Sequence, residues 1–211
     1  PDTAKAKKRL ISRSARYTGL LDKLDFCEGE KVTMENLEGV NTWLACVDGS
    51  MDAIKEVADL AAKASSLQSI GILVENANQW SKEDHESVVA ALEADTKAAR
   101  DSGMEALSYT LCAFGELGDH PDGKEVYMFE QFASENGTLP VQSSFSRQDS
   151  YRVLTELLQL DSGKNQALTF SEVYSEDAIW YKLVKGLRKA GFDRAQEMDY
   201  LVREGVEVRN C

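Results

Sequence analysis

Along much of the chain, apolar residues recur at the three- and four-residue spacing of an amphipathic helix. In 50–65, Met51, Ile54, Val57, Ala58 and Ala61 share one stripe. In 149–160, Val153, Leu154, Leu157, Leu158 and Leu160 do the same. Prolines stand only at Pro1, Pro121 and Pro140, and the intervals between them are rich in Ala, Leu, Glu and Lys. Those are good helix formers. Ser81 followed by Asp84 reads as a helix start, with Ser81 as N-cap and Asp84 at the third helical position. Phe192, Met198 and Leu201 suggest one more short amphipathic helix in a C-terminal extension, 188–211. The pattern therefore predicts an all-α chain.

The breaks between the predicted helices share a grammar. A Leu closes a helix, a polar stretch follows, then one apolar residue, then an acid or amide opening the next helix. The breaks begin at Leu24-Asp25, Leu117-Gly118-Asp119 and Leu160-Asp161. A twelve-residue calcium loop takes oxygen ligands at positions 1, 3, 5, 7, 9 and 12, with Gly at position 6. In 161–172, Asp161, Asn165, Thr169 and Glu172 take positions 1, 5, 9 and 12, and the Ala167 carbonyl takes position 7. Gly163 gives no side-chain ligand there, and Gln166 replaces the turn glycine. In 119–130, Asp119, Asp122 and Glu130 are the oxygen donors. Starting one residue earlier instead aligns Gly123 with the turn, so two alignments stay open. In 25–36, Tyr17, Leu20, Leu21, Leu24 and Val32 suit the scaffold. Cys27, Gly29, Glu30 and Asn36 do not suit the metal, and no calcium is expected there. A fourth unit, 73–84, keeps Trp80 at position 8 and almost no ligands.

The order and spacing of these units over Tyr17 to Leu187 resemble the four-EF-hand branch of sarcoplasmic calcium-binding proteins, calcium-regulated photoproteins and luciferin-binding proteins. The opening Leu20-Leu21-Asp22-Lys23-Leu24-Asp25, the ligand-poor unit with Trp80, and Ile179-Trp180-Tyr181 after the last loop carry the resemblance. It implies two pairs of helix-loop-helix units: an N-terminal pair over 1–100 and a C-terminal pair over 101–187. It also implies calcium as the bound ion, and a cavity between lobes with Trp43, Trp80, Trp180 and Tyr181 as its walls. Photoproteins use His in that cavity, whereas His85 and His120 fall on or beside loops, which argues against their chemistry.

Composition adjusts this picture in three ways. With 36 acidic and 24 basic residues the net charge is −12. Such a surface repels nucleic acid and anionic membrane. No apolar run reaches the ~20 residues of a membrane span, and no apolar stretch follows the basic N-terminal residues as in a secretory signal. A cytoplasmic protein is expected. Cys27, Cys46, Cys112 and Cys211 form no CxxC pair, so free thiols are expected rather than a disulfide or zinc framework. No GxSxG, HExxH or phosphate-binding glycine loop occurs, and no enzyme is predicted. The leading expectation is a calcium-binding protein of buffer or sensor type. Three rivals stand beside it: a metal-free binding or assembly module, a carrier of an apolar small molecule, and filament-type long helices built from Ser50–Ser65 and Ser81–Gly103.

Overall fold

A computed structural model describes residues 31–104, 106–119, 127–131, 144–172, 176 and 178–207, together with the single residues 4 and 23. Seven strands and five helices lie within it: β1 (Thr42–Asp48), α1 (Met51–Lys63), β2 (Ser69–Glu75), α2 (Lys82–Asp101), β3 (Ser108–Ala113), β4 (Glu116–Gly118), β5 (Tyr127–Gln131), β6 (Ser144–Ser146), α3 (Arg147–Leu157), β7 (Gln166–Glu172), α4 (Ile179–Lys189) and α5 (Arg194–Glu207). A five-stranded sheet has the order β1-β2-β3-β7-β5, and β4 pairs with β6 in a second, two-stranded sheet. β1, β2, β3 and β7 are parallel neighbours, while β5 runs antiparallel to β7.

The all-α, EF-hand expectation is overturned by this mixed α/β architecture. The reason lies in the central strands. Ile70 to Val74 of β2 and all of β3 are buried. A strand covered on both faces reads as an unbroken apolar run rather than an alternation, so periodicity cannot separate it from a helix segment. The expected loop 73–84 is in fact the end of β2, a 3-10 turn at Ala77–Gln79 and the start of α2. The expected loop 161–172 is a 3-10 turn at Asp161–Gly163 followed by β7. Of the expected loop 119–130, the described part ends in β5, and residues 120–126 lie outside the described residues. Of the expected loop 25–36, only 31–36 is described, and it ends in a 3-10 turn at Glu35–Leu37.

The helices read from the pattern do form. Met51–Lys63 buries Ile54, Ala58 and Ala61, with the Ser50 hydroxyl accepting from Ala53 N at its start. Ser81 and Asp84 make the reciprocal capping box that opens α2. Met198 and Leu201 of α5 are buried, while Phe192 before it is 39% exposed.

Two apolar layers sandwich the large sheet. On one face, Ile70, Ile72, Val74, Tyr109 and Leu111 pack under α1 and α2, through Ile54, Ala58, Val88 and Leu92. On the other, Leu73, Cys112, Phe114, Leu168 and Phe170 pack under α3 and α5, through Val153, Leu154, Leu157, Met198 and Leu201. Two successive crossovers of the same hand, moving one way across the sheet, place α1 and α2 on one face. A Cβ on Gly71 of β2 would stand 2.8 Å from Leu158 Cδ1, so the missing side chain lets the end of α3 approach the sheet. β2 and β3, on either side of position 100, are paired, so the sheet runs across that position.

Candidate functional site

In open α/β sheets, ligands bind outside the carboxyl ends of the parallel strands. In this chain those ends are Asp48 of β1, Glu75 of β2, Ala113 of β3 and Glu172 of β7. Asp48 and Glu75 are register partners, so the exits of β1 and β2 lie side by side.

The β1 exit is shaped by Gly49, at φ +53°. A Cβ there would meet Glu75 O at 3.0 Å and Asn76 O at 3.1 Å. Only glycine fits both the left-handed backbone and the close passage of the two chains. Ser50 then caps α1. At the β2 exit, Asn76 is also left-handed, at φ 63°. Its main-chain N donates to Gly115 O at 2.8 Å, and the next amide, Ala77 N, donates to Phe114 O at 2.7 Å. Thus held, its side-chain Nδ2 donates to Asp48 Oδ1. Trp80 Nε1 donates to Gly49 O at 2.8 Å, tying the next segment back to the first turn. His85 is 4% exposed and meets the Trp80 ring edge-on, with centroids 5.4 Å apart. Burial lowers the His85 pKa, against the Asp84 charge and a backbone hydrogen bond at Trp80, which raise it.

Between these exits lies an open cleft of about 450 Å³, lined by Asp48, Gly49, Ser50, Met51, Asn76, Gln79, Trp80 and Asp84. Its two carboxylates differ. Asp84 Oδ2 accepts from both the Ser81 main chain and hydroxyl at 2.9 Å, and these bonds hold its carboxyl below the usual range. Asp48 uses Oδ1 for Asn76 and leaves Oδ2 without a partner among the described residues.

Behind the cleft stands a charged strut. Arg147 donates to both Glu75 oxygens, at 2.9 and 3.0 Å, and to Leu117 O at 2.7 Å. Leu117 N donates in turn to Glu75 Oε1 at 3.3 Å. The Arg147 hydrogen bonds hold the Glu75 carboxyl below its usual range. Cys46 and Tyr151 lie near each other and near Arg147. Desolvation raises the Cys46 thiol more than Tyr151 and Arg147 lower it, although the residue as a whole is exposed. The thiol is therefore protonated at neutral pH and a weak nucleophile.

The residues singled out from the sequence are dispersed. Asp161 is exposed and pairs with Lys164 Nζ at 2.6 Å. Asn165, at φ 54°, accepts from Arg100 at 3.3 Å. Ala167 and Thr169 are buried in β7, and Thr169 Oγ1 has no hydrogen-bond partner among the described residues. Glu172 ends β7 and Glu130 lies in β5. Asp119 is exposed, 3.5 Å from Arg147 Nε. Asp122 lies outside the described residues. Among the described residues, no group of three or more His, Cys, Asp or Glu is placed to hold a metal ion. Trp43 packs on the α1–α2 layer, and Trp180 and Tyr181 of α4 pack on the opposite one, so the expected aromatic cavity is not assembled. Of that set, only Trp80 lines the cleft. Asp48, Gly49, Ser50, Asn76 and Gln79 line the cleft and were not among the expected site residues. The Asp48-Gly49 pair after an apolar run is itself a turn signal, and it would have marked the β1 exit.

Among the described residues, no helix is long and apolar enough to cross a membrane. No family model matches the chain, and no curated protein matches its sequence.

Proposed function

We propose that the chain is a non-catalytic binding module that takes a small, neutral, hydroxylated ligand of nucleoside size at the carboxyl ends of β1 and β2. The observation that carries this reading is Asp48 Oδ2, without a hydrogen-bond partner among the described residues, at the rim of a polar cleft built by the Gly49 and Asn76 turns. A carboxylate oxygen accepts hydrogen bonds only, so it favours hydroxyl or amino donors on the ligand. The Trp80 ring and the Met51 thioether supply an apolar edge for a flat ring. Asp48 and Asp84 line the cleft and Asp52 lies in the first turn of α1, which disfavours a phosphate at that helix start. The volume, about 450 Å³, lies in the lower part of the range for small-molecule sites.

The non-catalytic part of the reading is supported by the groups at hand. His85 is buried behind Trp80, and the Ser50 hydroxyl is engaged as a helix cap. The polar lining favours this ligand class over the apolar cargo considered from the sequence. The free thiols of Cys46 and Cys112 support a cytoplasmic setting. The acidic balance of the chain supports partners other than nucleic acid.

Fluorescence titration of a Trp43→Phe, Trp180→Phe variant, in which Trp80 is the sole indole, tests the proposal. Adenosine, uridine, ribose and the free bases are the probes. Saturable change with a nucleoside, weakened about tenfold or more by Asp48→Ala, is expected for loss of a charge-assisted hydrogen bond. No saturation with any probe at millimolar concentration refutes it.

A further inference from the structure

We propose that the free edge of β1 pairs antiparallel with β1 of a second copy of this chain, Ala45 against Ala45, so that one sheet runs through both copies. This inference rests on the main-chain edge of the strand and does not require a ligand in the cleft, although Asp48 belongs to both.

Among the described residues β1 has one strand neighbour, β2, and its other edge is unpaired. The direction of its main-chain groups follows from the register. Ser69 N donates to Asn41 O, and in a parallel pair alternate residues turn both groups to the same neighbour. Residues 41, 43, 45 and 47 therefore face β2. Thr42, Leu44, Cys46 and Asp48 present their N–H and C=O groups outward. Proteins blunt such edges with Pro, Lys, bulges or short strands. Thr-Trp-Leu-Ala-Cys-Val-Asp has no Pro, no Lys and no charge before its last residue, and it pairs with β2 in unbroken register over its full length. Thr42, Cys46 and Asp48 are exposed, and Trp43, Leu44 and Val47 are half-buried.

The strand is complementary to itself. A two-fold axis at Ala45 sets Thr42 against Asp48, Trp43 against Val47 and Leu44 against Cys46 of the second copy. The outward residues then meet only outward residues, as hydrogen-bonded antiparallel pairs require. Trp43 with Val47 is a favourable aromatic and β-branched cross-strand pair. Each Asp48 faces a threonine, and the two Asp48 residues stand about 20 Å apart along the strands. That exceeds the screening length of about 8 Å at physiological salt, so the acidic strand ends do not oppose pairing. Isologous contact of one patch with itself closes at two copies.

The test uses the full chain and a register-specific cross-link. Leu44→Cys places a thiol directly opposite Cys46 of the second copy, within disulfide reach, whereas the two native Cys46 residues are diagonal and too far apart. Under diamide, which takes up the two electrons and two protons released, the variant is expected to give a covalent dimer on a non-reducing gel. That variant and its control both carry Cys27→Ser and Cys211→Ser, which remove the two thiols outside the described residues, and the control without Leu44→Cys gives none under the same conditions. Sedimentation equilibrium of the unaltered chain should move from monomer to dimer mass with concentration. Cys46→Pro removes an outward N–H without touching the β2 ladder, and it should hold the chain at monomer mass with unchanged circular dichroism. Amide exchange covers the case in which that variant misfolds: the Leu44 and Cys46 amides should become protected as concentration rises. Monomer mass at every concentration, absence of the Leu44→Cys cross-link, or protection of those amides independent of concentration overturns the proposal.

Discussion

Arg147 and Glu75 tie β2 to β4, and Arg147→Met measures what that tie contributes. The side chains are 37% and 25% exposed, so the pair lies between the surface and buried limits. Exposed pairs contribute about 0.2–1 kcal/mol, and breaking a fully buried one costs about 3–5 kcal/mol. The bidentate geometry and the third bond, to Leu117 O, favour the upper part of the interval, and solvent access lowers it. Arg147→Met should therefore cost about 2 kcal/mol, and the cycle with Glu75→Gln should show a coupling of about 1–2 kcal/mol. The pH dependence has a definite sign. The folded Glu75 carboxyl is held below its unfolded pKa. Its contribution is thus fully present above the unfolded value, near about 4.3, and is lost as pH falls through the folded value. Urea unfolding of the four proteins, at neutral pH and through the carboxylate range, gives the coupling directly. A coupling under about 0.5 kcal/mol at neutral pH, or one that survives full protonation of Glu75, would show that this strut does not hold the strand ends.

Two further outcomes follow from the same region. Gly49→Ala combines left-handed backbone with contacts of 3.0 and 3.1 Å to main-chain oxygens. It should lower stability by about 2 kcal/mol in urea melts, and a cost near zero would mean that the β1 exit is more open than described. His85 has a folded pKa lowered by burial, so on acidification the unfolded chain takes up its proton first. Stability is then expected to decline as pH drops below the unfolded value of about 6.5, towards the folded one, and His85→Gln should flatten that slope in urea midpoints measured across this range. An equal slope in the variant would assign the effect to other groups.

Helix periodicity located α1, α3 and the start of α2, because each buries one stripe and exposes the other. It missed the sheet because Ile70 to Val74 and Ser108 to Ala113 are buried on both faces and carry no alternation. Of the polar breaks beginning at Leu117 and Leu160, residues 120–126 of the first lie outside the described residues, and the second resembled a calcium loop because it contains a turn with an acid beside it. In the fold the second is Asp161–Gly163 leading into β7, where Ala167 and Thr169 face the interior rather than an ion. The cleft was the least visible element. Asp48 and Asn76 are 28 positions apart, and only the parallel register of β1 and β2 brings them together. Trp80 stands out in the sequence as an aromatic residue, but its role depends on a bond to Gly49 O that spacing does not reveal.

The most direct test of the binding reading is a two-dimensional amide NMR titration of the full chain with adenosine and uridine. Saturable shifts for at least one of them are expected to concentrate on Gly49, Ser50, Met51, Gln79 and the Asn76 side-chain amide, with a midpoint about tenfold or more higher in Asp48→Ala. Shifts elsewhere on the sheet, or none with either nucleoside, would contradict that reading.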